Sequence, residues 1–159
     1  MSKLKWLIML LAVVSVAACK KDKTTTNNPP KIDSPIIGTW LNKGYTIEPV
    51  FGQVFHDRTY TLNSDATYKF QEESYNSSRT YTNSYKEEGN FTLTDPEPGK
   101  SEEFAKALKE EVKLDKKLVG KSTAGTSTGY VEYSQDGKTF KYFFEDSKGI
   151  YYRRTYTKQ

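Results

Sequence analysis

From Ile37 onward, apolar residues tend to recur at every second position. Arg58-Thr59-Tyr60-Thr61-Leu62 puts Tyr60 and Leu62 on one side and threonines on the other, and Ala66–Gln71 repeats the plan with Tyr68 and Phe70. Successive side chains leave an extended backbone on opposite sides, so a period of two marks a strand with one covered and one wet face. The turn cluster Asn63-Ser64-Asp65 makes these two runs a hairpin. The same logic predicts strands at Ile37–Leu41 and Gln53–Leu62. Thr80–Tyr85 follows the turn residues Asn76-Ser77-Ser78, and Asn90–Thr94 follows Glu87-Glu88-Gly89. Later come Gly129–Tyr133, Thr139–Phe144 and Ile150–Tyr156. They are parted by Gln135-Asp136-Gly137 and Asp146–Gly149, each with a glycine where positive φ is cheapest. The count is eight strands in meander order, enough to close an antiparallel barrel.

Two stretches depart from that period. In Ser101–Leu114, Phe104, Leu108 and Val112 recur every four residues. Ser101 can cap there, and Glu102 and Glu103 suit the positive end of a helix. This predicts one inserted helix, its stripe laid over an open end or a face of the sheet. Lys121–Ser127, rich in Ser, Thr and Gly, reads as a flexible loop. The N-terminus differs again. Trp6–Ala18 is an unbroken uncharged run of 13 residues, short of the roughly 20 that a spanning helix needs. Lys3 and Lys5 precede it and Cys19 closes it. Residues 20–35 are polar, contain Pro29-Pro30 and show no period, which predicts an extended, disordered tether. The division is therefore 1–18, 19–35 and a single β domain over 36–159.

Composition sharpens this picture. The chain has 12 Tyr and 8 Phe, residues that favour strands and each bury a large area. It has a single Cys, so no internal disulfide staples the core and packing must suffice. The formal charge of +4, part of it from the two leader lysines, is too even a balance for a nucleic-acid footprint.

A basic start, an apolar run and small residues Val16-Ala17-Ala18 before Cys19 form a segment that resembles the lipoprotein signal peptide of bacteria. The resemblance implies removal of residues 1–18 and fatty acylation, palmitate included, of Cys19. The membrane would then be a partner through that lipid, and the protein would sit in the cell envelope at the outer membrane. One acyl chain binds only reversibly; such lipoproteins carry several. Gly38-Thr39-Trp40 matches the Gly-x-Trp that opens the first strand of lipocalins, and the layout as a whole resembles lipocalin-like bacterial lipoproteins. That resemblance implies a lipocalin-like barrel with Gly38 and Trp40 as structural residues. It also implies a basic residue late in the last strand, Arg153 or Arg154, stacked on Trp40. The lipocalin Thr-Asp-Tyr signature has no counterpart, and the helix lies mid-chain rather than after the last strand.

Catalytic chemistry finds no purchase in the residues. His56 is the single histidine and, beside Asp57, reads as half of a surface pair. The pairs Glu72-Glu73 and Glu87-Glu88 sit in or beside strands, where neighbours diverge. No metal set, phosphate loop or nucleophile–base pair is visible, so neither an enzyme nor a cofactor is expected. Aromatic faces are the remaining candidate. Tyr60, Tyr68, Phe70, Phe91, Phe140 and Tyr142 either line a pocket for a small apolar or amphiphilic ligand or fill the interior outright. The alternative is an interaction module in which Tyr75, Tyr81 and Tyr85 contact an envelope protein or a glycan.

Overall fold

The computed structural model describes residues 31–159. The expected leader and the Cys19 attachment point lie outside the described residues. Eight antiparallel strands form a closed barrel in meander order. They are β1 (Gly38–Glu48), β2 (Gly52–Leu62), β3 (Thr67–Asn76), β4 (Thr82–Thr94), β5 (Lys116–Ser122), β6 (Gly125–Tyr133), β7 (Thr139–Glu145) and β8 (Tyr151–Lys158). A single helix, α1 (Lys100–Leu108), joins β4 to β5. Closure is narrow: β1 meets β8 only at Trp40 opposite Lys158 and Leu41 opposite Thr157. Just past it, Asn42 Nδ2 reaches the Thr155 carbonyl at 2.8 Å.

The strand count matches the expectation, but its membership differs. Thr80–Tyr85 and Asn90–Thr94 belong to one long strand, β4. Glu87-Glu88-Gly89 looks like a turn, yet Gly89 is there for space. A Cβ at Gly89 would stand 2.1 Å from the Lys121 carbonyl oxygen and 3.0 Å from the Tyr68 ring. The eighth place belongs to β5, whose Lys116-Lys117-Leu118-Val119-Gly120 offers little apolar alternation. The expected loop at Lys121–Ser127 is two strand ends of a tight hairpin, with Ser122 paired to Gly125. The helix is shorter than Ser101–Leu114. It stops where Lys109 turns left-handed at φ 55°, and Val112 and Leu114 are buried beyond it on extended chain.

The tether also ends sooner than residue 35. Ile32 donates its backbone N–H to the Ser64 carbonyl at 2.7 Å and packs on the core. Ile36 is fully buried, and its carbonyl accepts the Trp40 indole N–H at 2.7 Å. This entering segment plugs one end of the barrel. Around it lie Trp40, Leu62, Tyr68, Phe91, Leu118, Val131, Phe140 and Tyr156. Phe140 meets Trp40 edge-on at 4.8 Å and stacks on Tyr156 at 4.9 Å.

A second cluster lies on the barrel's outer face. Phe104 of α1 packs against Tyr151, Tyr130 and Phe143 at ring distances of 5.1, 5.5 and 5.7 Å. The helix therefore covers a face and not an end. The run Phe140–Phe144 is aromatic in both phases because β7 is covered on both sides.

The cation over Trp40 is Lys158, with its Nζ 5.3 Å from the ring. Neither expected arginine fills that role, and the β1–β8 register explains why. Trp40 faces Lys158, so Arg154 points inward four residues up the strand, where it stacks on Phe144 at 4.7 Å. Arg153 points outward and pairs with Glu110.

Candidate functional site

The strand period puts Tyr60 of β2, Tyr68 and Phe70 of β3, and Phe140 and Tyr142 of β7 in the same interior. Their rings do not fill it. A cavity of about 160 Å³ remains above the plugged end, bounded by these five aromatics together with Leu118, Ser127, Tyr156, Glu87 and Arg154. Glycines shape it. A Cβ at Gly129 would fall 2.2 Å from Tyr142 Cζ, and one at Gly120 would lie 2.8 Å from Ser127 Oγ. The absent side chains on β5 and β6 thus make room for phenol rings reaching across from other strands.

Two charged side chains border the cavity and are spent differently. Glu87 accepts a hydrogen bond on each oxygen, from Tyr68 and, at 2.7 Å, from Tyr85. Burial opposes its ionisation, but the two phenol donors win and hold its carboxyl below the usual range. Burial and the same contact push the Tyr68 phenol up to about 12. Arg154 lies against the Phe144 face and beside the Tyr156 hydroxyl. Its carboxylate pairing is empty: among the described residues, the arginines in ion pairs are Arg58 and Arg153. Burial raises the Tyr60 and Tyr142 phenols well above their ordinary value. They remain protonated donors at any physiological pH.

Above the cavity, toward the end opposite the plug, the inward rows turn polar. Arg58 is buried and gives its Nε–H to Glu72 Oε2 at 2.9 Å and its Nη1–H to Asn42 Oδ1 at 3.1 Å. His56 Nδ1 lies 2.9 Å from Glu72 Oε1 and 2.8 Å from Ser74 Oγ, and its Nε2 lies 2.9 Å from Thr46 Oγ1. An ionised carboxylate only accepts, so His56 Nδ1 donates to Glu72. Burial works against the Glu72 charge. The Arg58 hydrogen bond and charge overcome it and lower its pKa. Hydroxyl, imidazole and carboxylate stand in the order of a proton relay, but Arg58 holds the carboxylate with two N–H groups, so the network's charge is spent internally.

Tyr60, Tyr68, Phe70, Phe140 and Tyr142 come together around the cavity. Phe91 does not line it; it lies in the dry cluster at the plugged end, 2% exposed. His56 and Asp57 are not a pair, because neighbours on a strand diverge: His56 faces inward, and Asp57 faces outward and accepts from the Tyr75 hydroxyl at 3.3 Å. The interior places of Glu87, Arg154, Arg58 and Glu72 were missed: Arg154 was expected over Trp40, and Glu72 and Glu87 only as halves of diverging pairs. A signal for them existed. Each is a charge in phase with the apolar row of its own strand, as Arg58 is with Tyr60 and Leu62. Among the described residues no group of three or more His, Cys, Asp or Glu side chains is arranged to hold a metal ion.

The chain matches no protein-family model and no curated protein. Among solved structures it is similar to a de novo designed fluorescence-activating β-barrel. The identity is 13% and the TM-score 0.39, over 77% of this chain and 93% of the design.

Proposed function

We propose that this protein is a lipid-anchored barrel of the bacterial cell envelope that binds a small, largely apolar ligand in its interior and performs no chemistry on it. The carrying observation is the cavity of about 160 Å³ between aromatic rings, with polar groups at its border. A cavity of this size holds a single-ring molecule; about 150 Å³ is enough for benzene. A few fixed polar groups in a mostly apolar lining are what orient a small guest. The leader and Cys19 support the anchor, with the outer membrane as its place.

Two measurements test the two halves. Cys19→Ser should move the protein from the membrane fraction to the soluble one and abolish incorporation of labelled palmitate; an unchanged membrane fraction removes the anchor. Native mass spectrometry of protein isolated from envelopes should show a retained small molecule that Ser127→Phe expels. A bare barrel that also takes up no single-ring probe removes the ligand.

A second reading, an interaction surface for another envelope protein, is favoured by one region. Beyond Leu41, β1 has no strand paired on its outer edge among the described residues. Tyr45 and Ile47 there are 63 and 71% exposed, and Val50, in the turn that follows, is 82% exposed. Unpaired apolar edges are natural docking strands. Crosslinking through residue 47 in intact cells should capture a defined protein, and a clean monomer removes this reading.

A further inference from the structure

The hydrogen-bonding capacity left over in the cavity is weighted toward donors. Glu87, the acid at its border, already accepts a phenol hydrogen bond on each oxygen. Arg154, the base, pairs with no carboxylate among the described residues and is held in place by the Phe144 face. The Tyr60 and Tyr142 hydroxyls line the same space and make no hydrogen bond to a described residue, while desolvation keeps them protonated. The groups left to meet a guest are therefore the Arg154 guanidinium, beside the Tyr156 hydroxyl and within reach of the Glu72 charge, and the Tyr60, Tyr142 and Ser127 hydroxyls, set beside Phe70, Phe140 and Leu118. Donors bordering a largely apolar space favour an oxyanion, because charge-assisted hydrogen bonds are about twice as strong as neutral ones.

Size restricts the guest further. About 160 Å³ accommodates one ring with a small substituent. The walls are flat rings, and a planar guest meets them by offset or edge contact. We infer that the cavity binds a single-ring aromatic carboxylate, its ring among Phe70, Phe140 and Leu118 and its carboxylate on Arg154 and the Tyr60 and Tyr142 hydroxyls. This rests on the ligand-binding reading above and adds the charge and size of the ligand. A cationic guest would have to add further hydrogen bonds to a Glu87 already engaged on both oxygens, with Arg154 lining the same small space.

Calorimetry on the full chain in lipid nanodiscs tests the assignment with three probes of one shape: benzoate, benzyl alcohol and benzylammonium. Benzoate should bind at least tenfold more tightly than benzyl alcohol, and benzylammonium should bind more weakly still. Arg154→Met should bring benzoate down to the level of benzyl alcohol and leave benzyl alcohol unchanged. If that variant does not fold, Tyr142→Phe serves instead and should lower the benzoate preference severalfold. Equal binding of benzoate and benzyl alcohol, tightest binding of benzylammonium, or a preference indifferent to both substitutions overturns the carboxylate assignment and leaves the cavity reading standing. No binding of any of the three overturns both.

Discussion

The two ends of the barrel interior are built from the same strands and the same alternation, yet they differ in kind. At the plugged end, Ile36, Trp40, Leu62, Phe91 and Phe140 exclude water. Toward the mouth, the same inward rows carry Asn42, His56, Arg58, Glu72 and Ser74 in one hydrogen-bonded network. Dispersion and hydrophobic burial hold the first end; charge-assisted hydrogen bonds hold the second. The cavity lies between them, where rings no longer meet and the charges have begun. Stability and recognition are thus separated along the barrel axis, and substitutions should sort by height.

The largest effect should come from the plugged end. Trp40→Ala removes the Phe140 edge contact and the hydrogen bond to Ile36, and should cost about 3–5 kcal/mol in urea unfolding. A loss below about 1 kcal/mol would mean that this end is not the seat of stability. Next is Gly129→Ala at cavity height. Its methyl would meet the Tyr142 ring, with an overpacking cost of about 1–3 kcal/mol. Tyr142→Ala should relieve it, so the double variant should be more stable than the sum of the single losses predicts. Additive losses would break the claim that the glycine exists to admit the ring.

At the mouth, Arg58→Met leaves the Glu72 carboxylate half-buried without its main partner, with an expected loss of about 1–3 kcal/mol at neutral pH. Here pH sharpens the comparison. Glu72 has a folded pKa below its ordinary 4.5. Its contribution is therefore complete above pH 4.5 and disappears as pH falls through the lower folded value. Unfolding at pH 7 and at pH 3 should show this acid loss in the parent and a smaller one in Arg58→Met. An identical acid loss in both would detach Glu72 from the network. The smallest effect should be Lys158→Gln. The cation over Trp40 sits on an exposed side chain, worth about 0.5–1 kcal/mol, and thermal melting would resolve it as a shift well short of that for Trp40→Ala.

Much of the fold was legible in the sequence, and the failures have physical reasons. The hairpin Arg58–Gln71 and the three C-terminal strands showed themselves because turn residues and alternation are local. β5 did not, because Lys116–Gly120 carries little apolar alternation and the Ser, Thr and Gly of Lys121–Ser127 read as a loop, while Gly120 is there for clearance from the Tyr68 ring and the Ser127 side chain. The helix was overextended because Val112 continues the four-residue period after the backbone has left the helix. Five cavity aromatics were in view, but Glu72 and Glu87 were read only as diverging pairs and Arg154 as a partner of Trp40, although Arg58 and Glu72 stand in the apolar phase of their strands.

Side-chain alternation and turn chemistry along the chain were enough to determine an antiparallel, aromatic-rich meander, because both act between residues a few positions apart. Whether the interior would be solid or hollow was decided only by closure. Register brings Gly129 under Tyr142, sets Lys158 rather than an arginine over Trp40, and leaves Arg154 facing the cavity without a carboxylate. The first is set by the pairing register of one hairpin and the second by the closing of β1 on β8, and neither can be read from a single stretch of chain.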